Sequence, residues 1–431
     1  MSHAFYDADT TLFTLHFDSK EMNPMNFDLN EIQETVDWLS SISDAEGPGT
    51  TRTLYSPSWM RAQNSLKERF EALGLYCEFD SVGNLYATLE GTETPGETIA
   101  TGSHVDTVIN GGKLDGQFGI VGGYLAVKKL LETHGKPKKT IQVISLAEEE
   151  GSRFPYVFWG SKNLFGLAKK EDVENLSDAA GVSFTDAMRG CGFDFSDSFK
   201  PRDDIKAFLE LHIEQGNFLE EEGCRVGVVT SIAGQKRYDI VLKGESNHAG
   251  TTLMRYRKDT VQCFAKIVTD AIEKAKNAGD PLVLTFGKIA PVPNTVNVVP
   301  GETLFTMDCR HTDAAFLQSF TKELEADMAR TASEMGISIS INNWMDEKPV
   351  PMDDSIISLI KEVCNEQELK YKEMHSGAGH DSQIFAPRVP TGMIFVPSIK
   401  GISHNPAEDT KTEDLREGVS ALTGALHKLA Y

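Results

Sequence analysis

The chain has 431 residues, too many for one ordinary hydrophobic core, so two folded units are expected. Its 42 Lys and Arg stand against 64 Asp and Glu, a formal net charge of −22 that repels nucleic acid and anionic membrane surfaces. No stretch approaches the roughly 18 consecutive apolar residues of a membrane span, and the six cysteines are scattered without a Cys-x-x-Cys pair, which argues against a disulfide framework or a thiolate zinc site and fits reduced thiols in a cytoplasm.

Residues 1–27 carry Asp7, Asp9, Asp18 and Glu21 and lack the basic start and apolar run of a signal peptide, so a loosely ordered extension is expected there. From residue 29 to about 75, apolar positions at Ile32, Val36, Leu39 and Ile42, then Trp59, Leu66, Phe70 and Leu73, predict two helices, the second started by Ser56-Pro57. Strands and helices then alternate: 98–102 reads as a strand running into His104, 119–131 as an apolar helix, and 140–147 as a strand running into Glu148. That order is a βαβ unit, which implies a parallel sheet with its chemistry at the carboxyl ends of the strands. A further apolar strand, 205–211, delivers His212 in the same way. Between about 220 and 336 the texture changes to strands at 226–232, 238–242, 282–289 and 303–309 and helices at 259–278 and 312–335. This predicts a separate α+β unit, 220–336, inserted into an α/β domain made of 28–219 and 337–431, whose mixed, largely parallel sheet is flanked by helices.

Seven residues in short Gly-bounded segments match a two-metal hydrolase site: His104, Asp106, Asp115, Glu149, Glu150, His212 and His404. Imidazole and carboxylate are the donors that zinc and manganese accept, and one carboxylate can bridge two ions. Asp106, two positions after His104, can accept its second ring N–H or fix the backbone around it. Asp115 lies in the Gly-rich turn Leu114-Asp115-Gly116. Glu149 and Glu150 are adjacent, so extended backbone would turn them to opposite sides, one as ligand and the other as proton shuttle. A charged surface helix is the plainer reading of Glu148-Glu149-Glu150, but an apolar strand before it and Gly151 after it argue otherwise. His3, His16, His134 and His427 sit in polar or terminal contexts and are read as ordinary surface histidines.

The segments 110–116, 148–154, 155–162, Asn247-His-Ala-Gly-Thr251 and Ser376-Gly-Ala-Gly-His-Asp381 resemble the amidohydrolase branch of the dinuclear aminoacylase/carboxypeptidase clan, which holds N-carbamoyl-L-amino acid hydrolases, β-ureidopropionases and allantoate amidohydrolases; the likeness runs from about residue 27 to the C-terminus. Segments 153–163 and 374–380 look most like the allantoate-hydrolysing members. The resemblance implies two divalent ions per subunit, Mn2+ or Zn2+, one held by His104, Asp115 and His212 and the other by Asp115, Glu150 and His404, with Asp115 as the bridge and Glu149 as general base. An imidazole at 212 fits the carbamoyl-hydrolysing branch rather than peptidases. It further implies a homodimer in which the inserted lid domain brings His248, Asn297 and Arg310 to the partner's active site, Arg310 as a fork for the substrate carboxylate and His248 at the developing oxyanion. Gln215 and His380 would complete the polar wall around a small ureido acid. Leu253 departs from the family's usual Pro after Asn-His-Ala-Gly-Thr-Thr, which bears on loop shape. The implied reaction is hydrolysis of the ureido C–N bond of allantoate. N-carbamoyl-amino acid or β-ureidopropionate hydrolysis is the neighbouring alternative, and a non-catalytic binding protein would require a missing ligand or base, of which there is none.

Overall fold

The structure, a computed structural model, describes residues 27–431 apart from 46, 197 and 199, so the expected extension before Phe27, with His3 and His16, lies outside the described residues. Two helices come first, α1 (Leu29–Ser40) and α2 (Pro57–Ala72), as the 3.6-residue apolar spacing predicts. Asp28 and Ser56 cap them by accepting the backbone N–H groups of Asn30 and Trp59. The chain then lays down β1 (Tyr76–Phe79), β2 (Leu85–Leu89), β3 (Thr94–His104), helix α3 (Gln117–His134), β4 (Lys139–Leu146), β5 (Ile205–Ile213) and β6 (Val226–Ile232). There follow β7 (Gly234–Lys243), β8 (Asn247–His248), helix α4 (Thr260–Ala278), β9 (Val283–Thr285), β10 (Ile289–Val292), β11 (Val298–Val299), β12 (Glu302–His311), helix α5 (Ala314–Glu334) and β13 (Ser338–Glu347). The last elements are β14 (Val350–Pro351), helix α6 (Asp354–Glu366), β15 (Tyr371–Ser376), β16 (Thr391–Val396) and helix α7 (Thr412–Ala430).

Nine strands form one sheet in the order β1-β2-β4-β3-β5-β16-β6-β14, with β15 also paired to β6. Its centre, β4-β3-β5-β16, is parallel, while β1, β2 and β14 join antiparallel. Strands β4 and β5 are buried on both faces, which explains their unbroken apolar runs, and α3 and α7 pack together over the sheet. The molecule is therefore α/β, with a mixed sheet, parallel at its centre, flanked by helices, as expected.

A second sheet, β10-β12-β7-β13 with β9 on β12, is antiparallel throughout and has its own core. Here the side chains alternate: along β7, Tyr238, Ile240 and Leu242 point inward, and along β12, Phe305, Met307 and Cys309, to meet Cys263 and Ile267 of α4 and Leu317 and Leu324 of α5. Burying each large apolar side chain contributes roughly 1.5–3 kcal/mol. Two strands fall in other sheets than the sequence suggests. Val226–Ile232, read as part of the insert, pairs with β15, β16 and β14 in the large sheet, while Ser338–Glu347, read as back in the first domain, pairs along β7 in the small one. Both are amphipathic or buried strands whose partners lie about 95 residues away or more, so local pattern carries no information about which sheet they join. The predicted strand 282–289 is two short strands, β9 and β10.

Candidate active site

Because β3, β4, β5 and β16 run parallel, their carboxyl ends open on one side, and the loops that follow them bring the predicted residues together. His104 ends β3, Glu149 and Glu150 follow β4, His212 is the penultimate residue of β5, and His404 lies in the loop after β16. Asp115 sits in the turn before α3 and is the centre of the cluster. One of its oxygens, Oδ1, lies 3.2 Å from His212 Nε2 and 3.6 Å from His104 Nε2. The other, Oδ2, lies 3.1 Å from His404 Nε2, which is itself 3.3 Å from Glu150 Oε1. Donor atoms of His104, Asp115 and His212 form one compact set, those of Asp115, Glu150 and His404 a second, and those of His104, Glu149 and Glu150 a third, each within 4.8 Å. A carboxylate shared between two triads of imidazoles and carboxylates is donor chemistry that suits a pair of borderline divalent cations.

The ligand-type side chains are fixed from behind. His104 Nδ1 lies 3.0 Å from the Asp106 carbonyl and 3.1 Å from its Oδ1, and His212 Nδ1 lies 2.9 Å from the Ile213 carbonyl, which turns each Nε2 towards Asp115. Asp106 also accepts the backbone N–H groups of Glu149 (2.9 Å) and Glu150 (3.3 Å), so one buried carboxylate ties the end of β3 to the turn after β4. That turn corrects one sequence expectation. Glu149 and Glu150 are not in extended backbone, and both carboxylates reach the cluster shared with His104 instead of facing opposite ways.

The charges balance through protons. Burial disfavours a charged His104, yet Asp106 and Asp115 hold its pKa well above the ordinary value; hydrogen bonds with Asp115 and Glu150 push His404 up to about 10. Burial would raise the Asp115 carboxyl, but the three imidazoles outweigh it and hold it well below the usual range. Glu149, half-buried at the surface, is pushed well above by desolvation and by the Glu150 charge, which is the direction a general base near neutrality needs. His380 is driven well below its ordinary value by burial and by His212, and so is neutral.

The residues further out are arranged less uniformly. Gln215, in left-handed backbone, donates from Nε2 to Asp115 Oδ2 at 2.8 Å and so stands at the cluster itself. His380 is buried, 2.8 Å from Ser376 Oγ, with its ring edge-on to His212 at 4.6 Å. His248 lies on the two-stranded ribbon β8-β11 and Asn297 just before its second strand, both exposed, and the Ala249 N–H donates to the Asn297 carbonyl. Arg310, at the end of β12, holds both oxygens of Asp308 and donates from Nη1 to the Gly377 carbonyl at 2.6 Å, a contact from the small sheet to the loop after β15.

Three residues at the site escaped the sequence reading. Arg52 is wholly buried beneath the His104–Asp106 segment and donates to the carbonyls of Val105, Leu39 and Ile42 and to Gln117 Oε1. Ser403 and Glu408 stand behind Asp115, Ser403 at its Oδ2 and Glu408 at its backbone N–H. Nothing local marks Arg52, whereas Ser403 adjoins His404 and Glu408 stands four residues beyond it, a spacing that could have prompted attention.

A family model described as Peptidase family M20/M25/M40 matches residues 100–428. The chain is 58% identical to the allantoate amidohydrolase of Escherichia coli (strain K12) over 401 residues, covering 93% of this chain and 98% of that one. It is 45% identical to the allantoate amidohydrolase of Bacillus subtilis (strain 168), with the same two coverages. Among solved structures, an amidase of the hydantoinase/carbamoylase family from Burkholderia multivorans superposes with a TM-score of 0.89 at 29% identity, covering 94% of this chain and 98% of that chain. The chain therefore belongs to Peptidase family M20/M25/M40.

Proposed function

We propose that the chain hydrolyses the ureido C–N bond of allantoate, giving ureidoglycine, ammonia and carbon dioxide. The observation that carries this reading is the Asp115-centred double donor set with the half-buried Glu149 carboxylate beside it, supported by 58% identity to an allantoate amidohydrolase along nearly the whole chain. His104, Asp115 and His212 would hold one divalent cation and Asp115, Glu150 and His404 the other, manganese and zinc suiting the donors equally. When bound, such ions polarise a carbonyl and acidify water, which a poorly electrophilic urea needs. Glu149 takes the proton of the attacking water and returns it to the leaving nitrogen. Asp106 keeps His104 oriented while this happens. Arg310, preorganised by Asp308, receives the substrate carboxylate in place of the Gly377 carbonyl, with Gln215 and His380 lining the ureido group.

The unit built on the small sheet, with its Leu253, Met254, Tyr256, Ile289, Val292 and Val296 exposed, is proposed as the dimer-forming lid that presents His248, Asn297 and Arg310 to the partner's site. Free thiols at all six cysteines, and no helix among the described residues long and apolar enough to cross a membrane, fit a cytoplasmic location. Parallel turnover assays on allantoate, N-carbamoyl-amino acids and β-ureidopropionate test the substrate. Preference for either of the latter would replace the allantoate reading. Mixing inactive Glu149→Gln and His248→Ala chains under subunit exchange tests the dimer: activity returns if His248 serves the partner, and no recovery despite verified exchange refutes it.

A further inference from the structure

Glu408 is 2% exposed and lies behind Asp115. Its Oε1 accepts the backbone N–H groups of Leu114 (2.9 Å) and Asp115 (3.0 Å), and its Oε2 accepts the Ser403 hydroxyl (2.8 Å). A turn in which the Glu408 N–H donates to the Asn405 carbonyl brings this carboxylate back beneath the His404 loop. The fit is close: a Cβ at Gly112 would lie 2.1 Å from Glu408 Oε1. Glu408 thus joins two segments almost 300 positions apart in the chain, the turn that carries Asp115 and the loop that carries His404.

The Ser403 hydroxyl has two carboxylate neighbours, Glu408 Oε2 at 2.8 Å and Asp115 Oδ2 at 3.0 Å, but a single proton to give. Asp115 Oδ2 is the oxygen that faces His404, and it already accepts from Gln215. If Ser403 also donated there, little lone-pair capacity would remain for a cation. His404 depends on the same loop. It is 47% exposed in its side chain, the most exposed of the donor set, and its backbone is in the left-handed region at φ 54°, which a non-Gly residue keeps only when its surroundings impose it.

We propose that Glu408 is the positioning residue of the cation subsite on the His404 side: it fastens the Asp115 turn to the His404 loop and draws off the Ser403 proton, leaving Asp115 Oδ2 open to a divalent ion. This inference rests on the two-cation reading and assigns a function to a side chain that ligates nothing itself. Glu408→Gln separates its two tasks. The amide oxygen still accepts both backbone N–H groups, so the turn is kept, but the amide nitrogen donates to Ser403 Oγ and forces the hydroxyl proton onto Asp115.

The test is titration of the metal-stripped, full-length chain with Mn2+, free ion being read by electron paramagnetic resonance, for the wild type, Glu408→Gln, Ser403→Ala and the double variant. The wild type should bind two ions per chain. Glu408→Gln should bind the first as the wild type does and the second about 10- to 100-fold more weakly. Ser403→Ala alone should change little, and adding it to Glu408→Gln should restore most of the lost affinity, because the misdirected proton is gone. A wild-type stoichiometry below two would overturn the two-cation reading and this inference with it. Two ions in the wild type, together with unchanged binding in Glu408→Gln, equal weakening of both ions, or no recovery in the double variant, would overturn this inference alone.

Discussion

Gly116→Ala should damage the site and the fold together, and a second glycine separates the two effects. Gly116 has φ 67° and ψ −59° and is the centre of a γ-turn closed by the 2.7 Å hydrogen bond from the Gln117 N–H to the Asp115 carbonyl. An alanine there is strained, at about 1–3 kcal/mol. Its Cβ would also lie 2.3 Å from His104 Cε1 and 2.4 Å from Nε2. The ring cannot simply retreat, because its Nδ1 is held against Asp106; forced overlap of this kind costs about a further 1–3 kcal/mol. The sum is roughly 2–6 kcal/mol. Gly135, at the other end of α3, has φ 75° and ψ −147° with nothing within 4 Å of its would-be Cβ, so Gly135→Ala carries only the strain, about 1–3 kcal/mol. Urea unfolding of the metal-free chains, followed by Mn2+ titration of each, measures both terms. The expected result is a larger stability loss in Gly116→Ala and weakened Mn2+ binding in that variant alone. Equal losses in the two variants with equal Mn2+ affinity would refute the claim that Gly116 is required by its approach to His104.

Glu149→Gln should keep both ions, measured by elemental analysis, and lower kcat by roughly 10²-fold or more; turnover near wild type would remove Glu149 from the role of base. Because hydrogen bonds with Asp115 and Glu150 raise His404 to about 10, the metal-free chain carries that proton throughout the neutral range and must release it to bind a cation. Mn2+ affinity should therefore rise with pH, by about tenfold per unit for one proton displaced, and a flat profile between about pH 6 and pH 8 would contradict the assignment. Arg310→Lys loses the fork that grips Asp308 and should raise KM for a carboxylate-bearing substrate by about tenfold or more with a smaller effect on kcat, a split read from steady-state kinetics; an unchanged KM would free Arg310 of substrate binding.

The order of elements and the residues that meet at the cluster were legible because each rests on a local pattern. Alternation and apolar runs marked the strands, and His104, Glu149 and His212 followed them directly. Sheet membership of Val226–Ile232 and Ser338–Glu347 was not legible, since a strand's own residues specify which face is buried but not which distant edge it joins. The relative orientation of Glu149 and Glu150 was not legible for a related reason: the backbone after β4 is bent by Asp106, whose hydrogen bonds come from 43 and 44 positions away. Arg52 and Glu408 show the same limit from the other side. A buried charged residue is recognised by the partners that satisfy it, and those partners are scattered along the chain.

The position of β16 bears on how the protein matures. It lies between β5 and β6, so the large sheet stays split along its middle until residues 391–396 have left the ribosome and inserted, long after both neighbours are made. His104, Asp115 and His212 all precede that insertion, whereas His404 follows β16 directly. All donors of the first triad are synthesised before β16, but the Asp115 turn is held by Glu408 from beyond it, and the second triad needs His404 itself. Completion of the chain is thus a precondition for both donor sets, and a fragment ending before β16 lacks the groups that hold them in place.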